Sequence, residues 1–264
     1  KIAEKPLHRL LAERYNGGKV ADRVFCYVGG GWYAPGQTFA DVQDEMRRHL
    51  DAGYTMVKAK VGGLPLADDV RRIEAVKAVL GNAQLAVDAN CKFGRTDALA
   101  YAKALGPFGL RWFEEPCGPL DYALLTELAG IYAAPLATGE NLFSTQDVEN
   151  LVKFGGWRRN HDLIQVDPPQ SYGIVQYART MAMLERHGWS RTALYPHGGN
   201  QMTVAIAAGF GLGGAESYPG VFGAFGGFAD NARVENGYLT LSDRPCIGFE
   251  GQARLDAIMS ELAG

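Results

Sequence analysis

Cysteine is scarce in this chain: Cys26, Cys91, Cys117 and Cys246 are widely scattered, and no two form a CxxC pair. Neither a zinc site nor a disulfide framework can be drawn from such spacing, so reduced thiols in a cytoplasmic protein are expected. Long apolar runs are also missing. The weakly polar region 202–229 is interrupted by Glu216, Ser217, Tyr218 and Pro219, whereas a membrane span needs about 20 continuous apolar residues. The opening KIAEKPLHRLLAER has no apolar stretch of the signal-peptide kind. Nor is there an excess of one charge, since 26 basic and 29 acidic residues leave a net charge of -3. Phosphate-backbone binding requires a concentrated basic patch, so neither nucleic acid nor membrane is an expected partner.

What the chain does have is core-forming material, with 264 residues of which 47% are hydrophobic. Candidate strands at 24–28, 56–61, 85–88, 110–114, 136–139, 163–166, 193–197 and 213–217 alternate with amphipathic helical stretches. Those stretches run over 38–52, 65–80, 96–105, 122–128, 145–154, 174–187 and 201–208. Asp121 and Ser144 suit N-caps, and Gly53, Gly81, Gly106 and Gly188 suit helix ends. Eight strands with seven intervening helices predict an α/β fold, a modified TIM barrel of (β/α)7β type. A doubly wound open sheet is the competitor.

The barrel is favoured by four acids. Asp88, Glu114, Glu140 and Asp167 are spaced by 26, 26 and 27 residues, and each closes a short apolar run. One strand-plus-helix unit has about that length, and only a closed barrel brings successive strand ends to one mouth. Asp88, Glu114 and Glu140 would then present three oxygen ligands together, a set that suits Mg²⁺. Strand parity puts Glu114, with Trp112, on the interior face and Glu115 on the other. On the second strand, Lys58 and Lys60 alternate with Val57, Ala59 and Val61, which sends both lysines inward. Two close ammonium groups would repel, lowering at least one pKa and freeing an amine as a base.

His197 ends YPHGG on the seventh strand, beside Asp167 on the sixth. A carboxylate there would fix the imidazole tautomer and raise its basicity. Asn90 follows Asp88 by two residues and is a candidate substrate contact. Glu216, in GGAES, is another. His8, His49, His161 and His187 read as ordinary surface residues. Two motif matches are set aside: GFGLGG at 209–214 follows a helix instead of opening one, and Gly17-Gly18-Lys19 lacks the rest of a P-loop.

The set VKAKVG, VDAN, WFEEP, TGEN, QVDPPQ, YPHGG and GAES, in this order, resembles the mandelate racemase subgroup of the enolase superfamily. The resemblance implies Mg²⁺ on Asp88, Glu114 and Glu140, Lys60 as base, and His197 with Asp167 as the second acid/base. With the chemistry so implied, Lys58 beside the cation would stabilise the enediolate formed by α-proton abstraction. Within the subgroup the text is most similar to D-tartrate dehydratases, which implies dehydration of a hydroxy diacid or acid sugar, D-tartrate giving oxaloacetate and water. A racemase or epimerase using the same Lys60/His197 pair is the nearest alternative, and a noncatalytic binding barrel the next. A homo-oligomer is also expected.

Family members carry an N-terminal α+β capping domain that this text does not match. Residues 1–22 are therefore expected to be a linker or helix, 23–238 the barrel, and 239–264 a segment that packs on the cap. A barrel without its cap would bind Mg²⁺ yet turn over poorly, because water would reach the site.

Overall fold

A computed structural model describes residues 2–262; residue 1 and residues 263–264, the ends of the two expected flanking segments, lie outside them. The chain runs α1 (Leu7–Tyr15), β1 (Arg23–Gly30), α2 (Phe39–Asp51), β2 (Met56–Lys60), α3 (Leu66–Leu80), β3 (Gln84–Asp88) and α4 (Arg95–Leu105). It continues with β4 (Phe113–Glu114), α5 (Tyr122–Ile131), β5 (Leu136–Thr138), α6 (Thr145–Phe154), β6 (Leu163–Ile164) and α7 (Gly173–Arg186). The last elements are α8 (Gln201–Phe210), β7 (Ala215–Ser217), β8 (Val234–Glu235), β9 (Tyr238–Thr240) and α9 (Ala253–Leu262).

Strands β1 to β6 pair in parallel, each with its successor, and β7 pairs in parallel with β1. The expected seventh strand is not a regular one. Residues Arg191–Ala193 form a 3-10 turn, and Leu194 makes a single parallel bridge to Ile164. Tyr195 N–H still donates to the Ile164 carbonyl, and Gly213 N–H to that of Leu194. This irregular segment therefore stands between β6 and β7, and seven helices join eight strand positions. The fold is the expected TIM-barrel-like α/β arrangement.

Alternation along the strands builds two cores. Tyr27, Met56, Ala86, Trp112, Ala137, Leu163 and Tyr195 form a separate cluster, one residue from each strand position except β7, filling the barrel interior. Tyr27 and Trp112 meet edge-to-face with centroids 4.9 Å apart. The intervening residues, among them Val28, Val57, Val87 and Phe113, join the larger core beneath the helices. Met56, Lys58 and Lys60 thus face inward while Val57, Ala59 and Val61 face out, as parity predicts.

Helix starts follow their sequence signals. Asp121 accepts from Leu124 N–H, and Ser144 forms a reciprocal capping box with Asp147. Helix α4 does end at Gly106, its C-cap, but that backbone stays right-handed: the chain continues as a 3-10 turn through Phe108, and the left-handed residue is Gly109. His8 is not a surface residue either. It is 5% exposed on α1, whose Leu11 packs so close to Gly209 of α8 that a Cβ there would come within 2.6 Å. Downstream, the β8–β9 hairpin pairs antiparallel with β1.

A buried network on α3 fixes the loops after β1 and β2. Asp69 accepts from Gly62 N–H, Tyr33 Oη and Tyr101 Oη at 2.5 to 2.7 Å. Arg72 donates to the carbonyls of Lys60 and Gly31. Asp69→Ala strands three donors at once, two of them buried and Tyr33 half-buried, and we expect a loss of roughly 3–5 kcal/mol in urea unfolding. A loss under 1 kcal/mol would mean the loops hold themselves.

Candidate active site

The inward residues at the C-terminal ends of the strands collect at one mouth. Asp88, Glu114 and Glu140 each offer an oxygen within 4.8 Å of the others. Asp88 and Glu114 are buried, and Glu140 is half-buried. Lys58 reaches the floor of this cluster, 1% exposed. Its Nζ touches Glu114 and lies 3.2 Å from Asp88 and 2.6 Å from Glu216. Lys60, one step nearer the mouth, pairs with Asp88 at 2.6 Å. At the other end of the cluster His197 Nδ1 meets Asp167 at 2.7 Å, which leaves Nε2 facing Glu140 at 3.4 Å and Glu216 at 3.6 Å.

Electrostatics follow from this crowding. Burial pushes the Glu114 carboxyl up to about 8, with Asp88, Glu216 and Glu140 adding to it against the pull of Lys58. For His197, burial alone would lower the pKa, but Glu216, the Asp167 hydrogen bond and Glu140 outweigh it and hold the ring at about 9. The expected loss of a lysine's proton does not occur at Lys58. Burial opposes its charge, yet Glu114, Glu216 and Asp88 hold its pKa well above the ordinary value. Parity gave the correct face but not the depth, where carboxylates, not the second lysine, are the nearest charges.

Four carboxylates face two ammonium groups here, so the donor set fits a divalent cation. Asp88, Glu114 and Glu140 supply hard oxygens only, which suits Mg²⁺, and a cation would offset the crowded negative charge that helps to raise the Glu114 pKa.

Asn90 reaches the mouth by a different route from the one expected. The strand ends at Asp88, and Asn90 takes a left-handed backbone (φ 47°) with its N–H on Asp88 Oδ1. Its side chain lines an open cavity of about 430 Å³ above Lys60.

Several residues of the site escaped sequence reasoning. Gln165 donates to Glu114 Oε2 at 2.8 Å and to Tyr27 Oη at 3.1 Å, and Trp112 Nε1 donates to the same Glu114 oxygen at 2.8 Å. Gln165 was findable: it precedes Asp167 by two and shares its face. Tyr218, beyond the last strand, packs against the His197 ring, centroids 6.1 Å apart. A side chain at inward-facing Gly29 would enter the Tyr218 ring, so only glycine leaves it room. Glu115, left outside the mouth by parity, is nevertheless buried and accepts from Asn141 Nδ2 at 2.8 Å.

Comparison with known proteins fits this geometry. A family model described as enolase C-terminal domain-like matches residues 41–254. Arabinonate dehydratase of Saccharolobus solfataricus is 24% identical over 94% of this chain and 65% of that enzyme. L-talarate/galactarate dehydratase of Salmonella typhimurium is 30% identical over 94% of this chain and 59% of its own length. Among solved structures, L-talarate dehydratase of Polaromonas sp. JS666, complexed with Mg and L-glucarate, gives a TM-score of 0.79 at 25% identity, covering 97% of this chain and 67% of that one. The chain spans about three fifths of the length of the curated relatives it matches. No described helix is long and apolar enough to cross a membrane.

Proposed function

The chain belongs to the enolase C-terminal domain-like family, and from that premise we propose that 23–238 form the catalytic barrel of a Mg²⁺-dependent acid-sugar dehydratase. The observation that carries this is the bracketing of the acid cluster: Lys60 on Asp88 at one end, the His197–Asp167 pair on Glu140 at the other. D-tartrate, giving oxaloacetate, is the substrate we put forward first. A cytoplasmic location and a homo-oligomeric assembly belong to the same proposal, the second checked by sedimentation.

Asp88, Glu114 and Glu140 would hold the Mg²⁺, which when bound supplies Lewis-acid stabilisation of charge developing on the substrate carboxylate. Lys58, fixed as an ammonium on the floor, adds a positive charge in a water-poor setting where it counts most. Lys60 Nζ, as the neutral amine once its own proton has passed to solvent, takes the α-proton, and the C–H electron pair moves toward the carboxylate as an enediolate. His197 Nε2 then gives its proton to the β-hydroxyl as the C–O bond breaks, so that water leaves. The remaining enol tautomerises to the 2-keto acid. Asp167 keeps Nδ1 occupied and so leaves Nε2 as the donor.

A pH dependence follows from His197. Its folded pKa, raised from 6.5 to about 9, gives stability that is fully present below pH 6.5 and lost as pH rises through 9. The imidazolium needed as acid disappears over the upper part of the same window. Dehydration is therefore expected to fall on the alkaline side near pH 9, read as the kcat profile. A limb near 6.5 instead would show that His197 is not the acid.

A further inference from the structure

We propose that Lys92, with Asn90, Trp32 and Tyr33, forms a subsite for the distal carboxylate of a dicarboxylic substrate, which directs this barrel toward diacids over monoacid sugars. The proposal rests on the dehydratase reading for its orientation, because one carboxylate must lie toward the acid cluster.

The cavity of about 430 Å³ at the mouth is lined by Trp32, Tyr33, Lys60, Gly62, Asn90 and Lys92, with no acidic side chain among its lining residues. Its inner lysine is committed, since Lys60 pairs with Asp88 at 2.6 Å. Its outer lysine is not. Among the described residues Lys92 pairs with no carboxylate, and its ammonium donates only to the backbone carbonyl of Gly62, two residues beyond Lys60. The mouth thus holds four clustered carboxylates and, lining the adjoining cavity, an ammonium with no carboxylate partner among the described residues. A diacid fits that asymmetry, with one end toward the cation side and the other toward Lys92.

The walls are built before any ligand arrives. Asp69 holds both Gly62 N–H and Tyr33 Oη, and Arg72 holds the Gly31 carbonyl, so the loops after β1 and β2 form one braced unit. Exposed lysines contribute little in open water. A carboxylate lying against the Trp32 and Tyr33 rings would be shielded from solvent on that side, and a charge-assisted hydrogen bond there gains strength. Asn90 supplies an amide at the same wall for a hydroxyl or a carboxylate oxygen. A monoacid of equal length would place a neutral hydroxymethyl group against Lys92.

The test is calorimetric binding of matched pairs, D-tartrate against threonate and galactarate against galactonate, to His197→Asn protein with Mg²⁺. The diacid of at least one pair is expected to bind about tenfold tighter than its monoacid, the scale of one hydrogen bond to a charged group. Adding Lys92→Ala should bring that ratio close to one, and Lys92→Arg should restore part of it. A ratio that Lys92→Ala leaves unchanged, or no diacid preference in either pair, overturns the subsite. Turnover by the unaltered protein separates the two ideas. Lys92-dependent diacid binding without conversion of any acid sinks the dehydratase reading alone, whereas conversion of diacids with a KM indifferent to Lys92 sinks the subsite alone.

Discussion

Replacing Lys60 by alanine is expected to slow formation of 2-keto acid by about 10²- to 10⁴-fold, the range a positioned proton-transfer group contributes. The same variant should lose exchange of the substrate α-proton with D2O, followed by NMR. His197→Asn should differ: elimination falls by a similar factor, but α-proton exchange continues, since Lys60 can still remove and return the proton. This split distinguishes the two ends of the bracket. It follows from the geometry, in which Lys60 sits on Asp88 and His197 Nε2 sits 3.4 Å from Glu140. Equal loss of exchange in both variants would mean that proton removal does not belong to Lys60 alone. A racemase reading makes a further distinction, because exchange would then invert the carbon and leave every hydroxyl in place.

Lys58→Met is expected to have a large and pH-dependent effect on stability. Its ammonium is the charge shared by Glu114, Asp88 and Glu216, all at most 1% exposed. Removing one partner of a buried ion group typically costs about 3–5 kcal/mol, because the remaining charges have nowhere to go. Protonation offers the orphaned carboxylates an escape. Lys58 pulls all three pKa values down, so without it those of Asp88 and Glu216 lose their depression and that of Glu114 rises further, and the deficit should be large at pH 8 and shrink toward pH 5. Urea unfolding midpoints at the two pH values give the comparison, and Glu216→Gln in the Lys58→Met background should recover part of the loss. A deficit below 1 kcal/mol at pH 8 would show that Lys58 is not what balances these acids.

Much of this arrangement was legible because period and parity are strong signals. The 26-residue beat of Asp88, Glu114 and Glu140 does report successive parallel strands, and alternation sends Lys58, Lys60 and Trp112 inward. Depth was not legible. Nothing in VKAKVG tells that Asp88, Glu114 and Glu216, on other strands, meet Lys58, so repulsion between the two lysines was expected to dominate where these carboxylates in fact hold the Lys58 proton. The seventh strand was overread for a related reason: YPHGG looks extended, but a proline and two glycines leave few N–H groups and side chains to sustain a ladder. Asp69 and Arg72 were missed because their partners, backbone groups of two loops and the distant Tyr33 and Tyr101 hydroxyls, leave no local sequence signature. Gln165 was missed although the parity that found Asp167 pointed to it.

The central claim, elimination of water across Lys60 and His197, is tested most directly by incubating the Mg²⁺-loaded protein with mono- and diacid sugars in D2O. Formation of a 2-keto acid with loss of one hydroxyl is expected from at least one of them, D-tartrate first, and chelation of the metal should abolish it. If no acid in the panel loses water while Mg²⁺ is bound, this barrel is not a dehydratase.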